Sequence, residues 1–142
     1  MSINWSSIKS TAVRLCPGDD LKSQLTKLAF DNRLRAASVI SAVGSLTKAT
    51  LRLAGGSESK TFQGKHEILS LTGTLSIDGI HLHMSLANSN GQTIGGHLME
   101  GCTIFTTAEI VIVELNDLVF NREFCEDTGF TELNVFNRET TT

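Results

Sequence analysis

The residues best suited to chemistry are His81-Leu82-His83 and, beyond a polar turn, Gly95-Gly96-His97. Three of the chain's four histidines fall between positions 81 and 97. Three neutral imidazoles on one wall can hold a divalent metal and leave one coordination position open. That arrangement suits catalysis or ligand capture better than a purely structural role. Imidazole ligands favour zinc, with nickel, copper or iron as alternatives. The open position takes water, a carboxylate or a substrate oxygen, and zinc lowers the pKa of a bound water toward neutrality. The plainer alternative is a set of partly exposed strand histidines with no ligand.

Strand parity turns this into a geometric test. Residues i and i+2 share a face of a strand, so His81 and His83 project together, about 7 Å apart. His97 depends on hairpin register. If Asn88 pairs with Gln92, His83 faces His97 and all three lie on one wall. If Ala87 pairs with Gln92, His97 points to the opposite face. Gly95-Gly96 could host a bulge that resets the register, or let a backbone approach a ligand closely.

Glu67, Glu100 and Glu109 are the candidate carboxylate partners. Glu109 is the most unusual, because a carboxylate inside an apolar strand is costly unless paired. It reads either as a buried acid satisfied by its neighbours or as a catalytic candidate, orienting a ligand or acting as a base near the metal. Glu100 reads as a solvated residue near the hairpin end.

The elements that must position these groups are mostly strands. Residues 1–10 read as a loose leader, 11–136 as one domain, and 137–142 as a tail. Thr11–Leu15 is a short strand ended by Cys16-Pro17-Gly18. Asp19 or Asp20 then caps a helix whose Leu21, Leu25, Leu28 and Ala29 form one apolar stripe, ending near Asn32. Strands follow over Ala36–Val43 and Thr47–Ala54, separated by Gly44-Ser45, and over Glu67–Ser76, ended by Asp78-Gly79. Ile80–Ala87 and Gln92–Leu98 flank Asn88-Ser89-Asn90-Gly91, a strong hairpin signal. Ile104–Leu115 is continuous enough to suggest burial on both faces. Leu118–Phe124 and Thr131–Phe136 complete the set. The pattern predicts an α+β fold, with one main N-terminal helix and a strongly curved, mostly antiparallel sheet or barrel.

Composition bounds the function. The chain has 142 residues, 40% hydrophobic, with a formal net charge of −3. That length suits one domain with a real core. There is no Lys/Arg run and no Arg-Gly-Arg hook, so direct nucleic-acid binding is not expected. The start of the chain lacks the pattern of a signal peptide, and no apolar run approaches a membrane span, so no membrane partner is expected. Cys16, Cys102 and Cys125 are odd in number and widely spaced, which points to free thiols serving as small buried hydrophobes in the cytoplasm. GxSxG, P-loop and GxGxxG motifs are absent. The lack of Tyr and the single Trp argue against a stacking platform for single strands.

Several ordered segments carry a family resemblance. They are Arg35-Ala36-Ala37-Ser38-Val39-Ile40-Ser41-Ala42-Val43-Gly44-Ser45-Leu46, Gly64-Lys65-His66-Glu67-Ile68-Leu69-Ser70-Leu71-Thr72-Gly73-Thr74-Leu75, His81-Leu82-His83-Met84-Ser85-Leu86-Ala87, Gly95-Gly96-His97-Leu98 and Gly101-Cys102-Thr103-Ile104-Phe105-Thr106-Thr107-Ala108-Glu109. From about Arg14 to Leu133 the chain resembles the PPC domain (plants and prokaryotes conserved, domain of unknown function 296). The resemblance implies a curved α/β fold and a homotrimer. In plants this domain accompanies AT-hook motifs, which bind DNA while the domain assembles subunits and recruits partners. Here no AT-hook is present, and the plant Arg-Phe within Gly64–Leu69 is replaced by Lys65-His66. A DNA-binding name would on this view describe plant relatives.

The fold is also similar to that of acetolactate decarboxylase, a zinc lyase whose metal sits on a His-x-His pair and a later histidine. His81, His83 and His97 match that order, although the gap to the third differs and the lyase's catalytic acids have no clear counterpart. Three functional readings follow. The first is a small stand-alone trimeric protein with a three-histidine metal or small-molecule site. The second is a zinc-dependent lyase or hydrolase acting on a small oxygen-rich substrate. The third is a regulatory scaffold that meets DNA only through partners.

Overall fold

A computed structural model describes residues 3–139, and these form eight strands and one helix. In chain order they are β1 (Ile8–Leu15), α1 (Leu21–Asp31), β2 (Ala37–Arg52), β3 (Ser59–Ser76), β4 (Gly79–Asn88), β5 (Thr93–Leu98), β6 (Thr103–Leu115), β7 (Leu118–Cys125) and β8 (Phe130–Asn137). Six strands form one antiparallel sheet in the order β1-β6-β2-β3-β4-β5. β5 also pairs with the far end of β2, through Leu51↔Leu98 and Arg52↔His97. The sheet thereby curls until β2, β3, β4 and β5 form a partial ring. β7 and β8 make a separate hairpin. The α+β fold with a strongly curved antiparallel sheet is as the sequence predicts.

The helix forms because its start is capped and one stripe is apolar. The Asp20 carboxylate accepts the Ser23 N–H at 2.9 Å through Oδ1. Leu21, Leu25 and Ala29 are buried against the inner face of the sheet. The other oxygen of Asp20 accepts the N–H groups of Gly101 (2.7 Å) and Cys102 (2.9 Å). One carboxylate thus ties the helix to the loop that leaves β5. Asp20→Ala forfeits a cap and two charge-assisted bonds, an expected loss of about 2–4 kcal/mol. Urea denaturation checks this, and a loss below about 1 kcal/mol would contradict the clamp.

The structure revises several expected boundaries. β1 begins at Ile8, inside the expected leader, and the preceding Ser7 donates its N–H to Asp117 Oδ2 at 2.7 Å. The outermost leader residues, Met1 and Ser2, and the tail residues Thr140–Thr142 lie outside the described residues. β2 runs unbroken through Gly44-Ser45. Gly44 is no turn: a Cβ there would stand 2.1 Å from the Thr107 carbonyl oxygen, so glycine permits β2 and β6 to touch. β3 begins at Ser59, because the polar run Ser59–Lys65 is a strand paired with the end of β2. β6 is not buried on both faces along its length. Ile104, Ala108, Ile110 and Ile112 face the core, while Thr106 and Glu109 face outward. The buried acid of β6 is Glu114, which meets Lys9 Nζ at 2.8 Å and accepts the Arg35 N–H at 3.2 Å.

The cysteines are free, but Cys102 alone is a buried apolar residue; Cys16 is exposed and Cys125 partly so. Burial pushes the Cys102 thiol up to about 11. Hydrogen bonds from Thr128 and the Asp127 N–H lower that of Cys125. Thiolate is the reactive form. With iodoacetamide near pH 7.5, Cys125 and Cys16 are expected to be modified in the native protein and Cys102 only after unfolding. Native labelling of Cys102 at the rate of Cys16, read by peptide mass spectrometry, would contradict this packing.

Candidate metal centre

The β4–β5 connection settles the side on which His97 lies. Asn88 Oδ1 accepts the N–H groups of Asn90 (2.9 Å) and Gln92 (3.0 Å), and Asn88 N–H donates to the Gln92 carbonyl (3.0 Å). Gly91 adopts φ +75, the left-handed turn conformation glycine tolerates. With Asn88 and Gln92 locked together, Ala87 faces Thr93 and His83 faces His97 without any bulge between.

Leu82, Met84 and Leu86 fill the core side of β4, so His81 and His83 are left on the outer face. The Nε2 atoms of these two are 3.2 Å apart. Ring centroids are 5.1 Å apart for His81 and His83, 4.9 Å for His81 and His97, and 5.5 Å for His83 and His97. One ligand nitrogen from each ring lies within 4.8 Å of the other two. Tetrahedral bonds of about 2.0–2.1 Å require nitrogens about 3.4 Å apart, which small side-chain rotations supply.

Gly95 and Gly96 serve strand approach. A Cβ on Gly96 would lie 2.7 Å from the Arg52 carbonyl oxygen and one on Gly95 3.0 Å from that of Met84. Gly96 thus lets β5 close onto β2 and bring His97 beside Arg52, while Gly95 lets β5 close onto β4.

The electrostatics favour the unprotonated form of His81 and His97. Burial lowers the pKa of His97 to about 4, with the Arg52 charge next in importance. Burial also lowers that of His81, followed by the Arg122 charge. Both rings are therefore neutral near pH 7, the form a metal needs. The buried Nδ1 of His97 has no hydrogen-bond partner among the described residues. Such an orphan is costly in a bare protein, so the donor set fits a cation that takes up its lone pairs. The described residues hold no second cluster of this kind. The fourth histidine, His66, is buried and donates its Nδ1–H to the Gly64 carbonyl at 2.8 Å.

None of the sequence-nominated carboxylates joins the histidines. Glu109 is exposed on β6 between Arg14 and Val43 of the neighbouring strands. Glu67 is exposed on β3 opposite Ala87, and Glu100 is exposed in the loop after β5. The carboxylate that does line the histidine cavity is Glu132 of β8, with Arg52, Arg122 and Phe130. These four are distant in sequence from the histidines and follow no local motif. The cleft beside His81, His83 and His97 has a volume of about 720 Å³ and includes Gly55-Gly56 at its mouth.

A family model described as the Plants and Prokaryotes Conserved (PCC) domain matches residues 4–116. The chain belongs to this family. Against the motif resemblance, the family match starts earlier and ends before β7. A structure from Salmonella cholerae-suis, described as a hypothetical protein, superposes with a TM-score of 0.93 at 42% identity, covering 96% of this chain and 99% of that one. A metal-containing protein from Archaeoglobus fulgidus superposes at 0.81 with 27% identity, covering 94% and 99%. A Ralstonia eutropha protein, whose name proposes DNA binding, superposes at 0.74 with 25% identity, covering 87% and 89%. The Bifunctional protein GlmU of Synechococcus sp. (strain JA-2-3B'a(2-13)) is 47% identical over 129 residues, 91% of this chain. This chain spans only 20% of that relative's length.

Proposed function

We propose that this PCC protein binds one divalent metal ion, zinc by preference, through His81, His83 and His97, and keeps one coordination position free for a small ligand. The observation that carries this reading is the convergence of three imidazoles on one face, one ligand nitrogen of each within 4.8 Å of the others. The metal-containing relative from Archaeoglobus supports it. When bound, the ion supplies Lewis acidity at its free position. The protein's own part is to hold three rings through β4 and β5 and to keep His81 and His97 unprotonated. Metal analysis of protein purified from zinc-supplemented cells is expected to give about one ion per chain. Fewer than ~0.2 per chain would overturn the reading, because a preformed three-histidine site fills.

The same reading makes the chain a homotrimer in a reducing, cytoplasmic setting. The resemblance noted above suggests the trimer, and exposed apolar side chains support it. Ile40, Val43 and Leu69 of the sheet are 60%, 53% and 54% exposed. Such residues suit burial between subunits. Sedimentation showing monomer alone at micromolar concentration counts against it.

Contact with DNA is the second reading, favoured by the name of the Ralstonia relative. The net charge of −3 opposes it. Retention of duplex DNA by the purified chain at moderate salt would favour it; no retention even at low salt would exclude it.

A further inference from the structure

The roof of the histidine cavity comes from beyond the end of the family match. The family match ends at residue 116, whereas Arg122 lies on β7 and Phe130 and Glu132 on β8. All three line the cavity with His81 and His97. Arg52 enters from β2, directly across from His97. Two guanidinium groups therefore border the three imidazoles.

Among the described residues neither guanidinium has a carboxylate within ion-pair distance. The ion pairs among the described residues are Lys9–Glu114 and Lys27–Asp31. Arg122 donates one N–H to Thr74 Oγ1 at 2.8 Å, and the Arg52 guanidinium sits 5.6 Å from the centre of the Phe130 ring. Both side chains are partly buried. Unpaired cations withdrawn from water are costly, and a metal beside them adds repulsion. An anionic ligand removes both penalties. The guanidinium fork matches an oxyanion in a two-bond geometry.

The remaining walls select among oxyanions. Glu132 stands in the same cavity and opposes a second negative charge on the ligand. Phe130 offers an apolar flat surface to a carbon skeleton. The cavity lined by these residues has a volume of about 310 Å³, room for a small molecule.

We propose that this cavity binds a small organic acid, its carboxylate held by Arg52 and Arg122 beside the three histidines. The C-terminal hairpin is then the element that sets ligand choice. The inference rests on the metal reading and can fail separately from it.

The test uses the full chain loaded with Co²⁺, whose visible absorption reports its ligands. Cobalt uptake per chain is measured first. Benzoate and pyruvate are the carboxylate probes, inorganic phosphate the dianion, and methylammonium the control. The carboxylates are expected to shift the cobalt spectrum and raise Tm; methylammonium does neither. Arg52→Gln and Arg122→Gln are expected to weaken carboxylate binding roughly 10- to 100-fold while cobalt uptake is unchanged. Glu132→Gln is expected to strengthen phosphate binding relative to carboxylate. Arg52→Lys, which keeps the charge and loses the fork, guards against a folding defect.

If cobalt loads and carboxylates bind the arginine variants as well as the parent, the inference is overturned and the metal reading stands. Phosphate binding tighter than both carboxylates overturns the choice of ligand class. If cobalt does not load, the metal reading fails. Calorimetry on the metal-free chain then decides the arginine site: carboxylate binding lost in Arg52→Gln upholds it, and no binding overturns it.

Discussion

The His97→Ala protein is expected to lose zinc almost completely while keeping its fold. Loss of a group that merely orients a metal ligand costs 10- to 100-fold in affinity, so removal of a ligand itself is expected to cost at least about 100-fold. The structure argues that the fold tolerates the change. His97 is half-buried, and its Nδ1 is a buried polar atom without a partner among the described residues. Truncation removes that unmet atom along with the ring, so lost packing is offset by a relieved desolvation penalty. The metal-free variant is therefore expected to unfold within about 1 kcal/mol of the parent. The parent should gain about 2.7 kcal/mol when zinc is present at a hundred times its Kd, a rise in Tm of roughly 10 °C. The variant should gain nothing. Calorimetric scans with and without zinc read both quantities. Equal zinc stabilisation of parent and variant would remove His97 from the site. A large loss of stability in the metal-free variant would give the ring a packing role instead.

The Gly73→Ala protein is expected to be destabilised by about 3–5 kcal/mol, a fall in Tm of roughly 10–15 °C. Gly73 lies on β3 opposite Leu82, the residue between the two histidines of β4. A Cβ there would stand 2.0 Å from the His81 carbonyl oxygen and 3.0 Å from Leu82 Cα. These are backbone atoms, so no side-chain rotation relieves the clash. Gly73 also has φ +136, outside the range that suits an L side chain. The two strands must separate where β4 presents His81, so the metal site loosens together with the fold. Gly55→Ala is the control. Gly55 has φ +70, and a Cβ there meets nothing within 4 Å. Its expected cost is about 1–2 kcal/mol, from backbone strain alone. Denaturant midpoints compare the two. Equal losses would mean that close strand approach at Gly73 contributes nothing, and that β3 and β4 have room to spare.

Both predictions concern the same device. The histidines stand on the outer face of a sheet bent tightly enough for β5 to reach β2. Glycine at positions 73 and 96 allows that bend, since each would place a Cβ under 3.0 Å from a neighbouring carbonyl oxygen. The curvature brings Arg52 beside His97, and the β7–β8 hairpin adds Arg122, Phe130 and Glu132 above them.

Local pattern carried part of this in the sequence. The alternation of β4 placed His81 and His83 on one face, because side chains alternate with a period of two. Asp19 or Asp20 and the stripe Leu21, Leu25, Leu28 and Ala29 marked the helix, since a cap and an i, i+4 pattern are properties of one short segment; the structure chose Asp20 as the cap. Asn88–Gly91 announced the hairpin for the same reason.

What required two distant segments at once was settled only by tertiary structure. The sequence left two registers open for His97, and the bonds of Asn88 to Asn90 and Gln92 chose one. Gly44-Ser45 reads as a turn by composition, yet Gly44 lies within a long strand because β6 comes within touching distance. Glu109 looked like the costly acid of β6, but it lies exposed between the core residues Ala108 and Ile110, whereas Glu114 is buried and meets Lys9. Arg52, Arg122, Phe130 and Glu132 carry no motif at all. Their meeting over the histidines is a consequence of sheet curvature and of hairpin docking, and neither is written in the residues next to them.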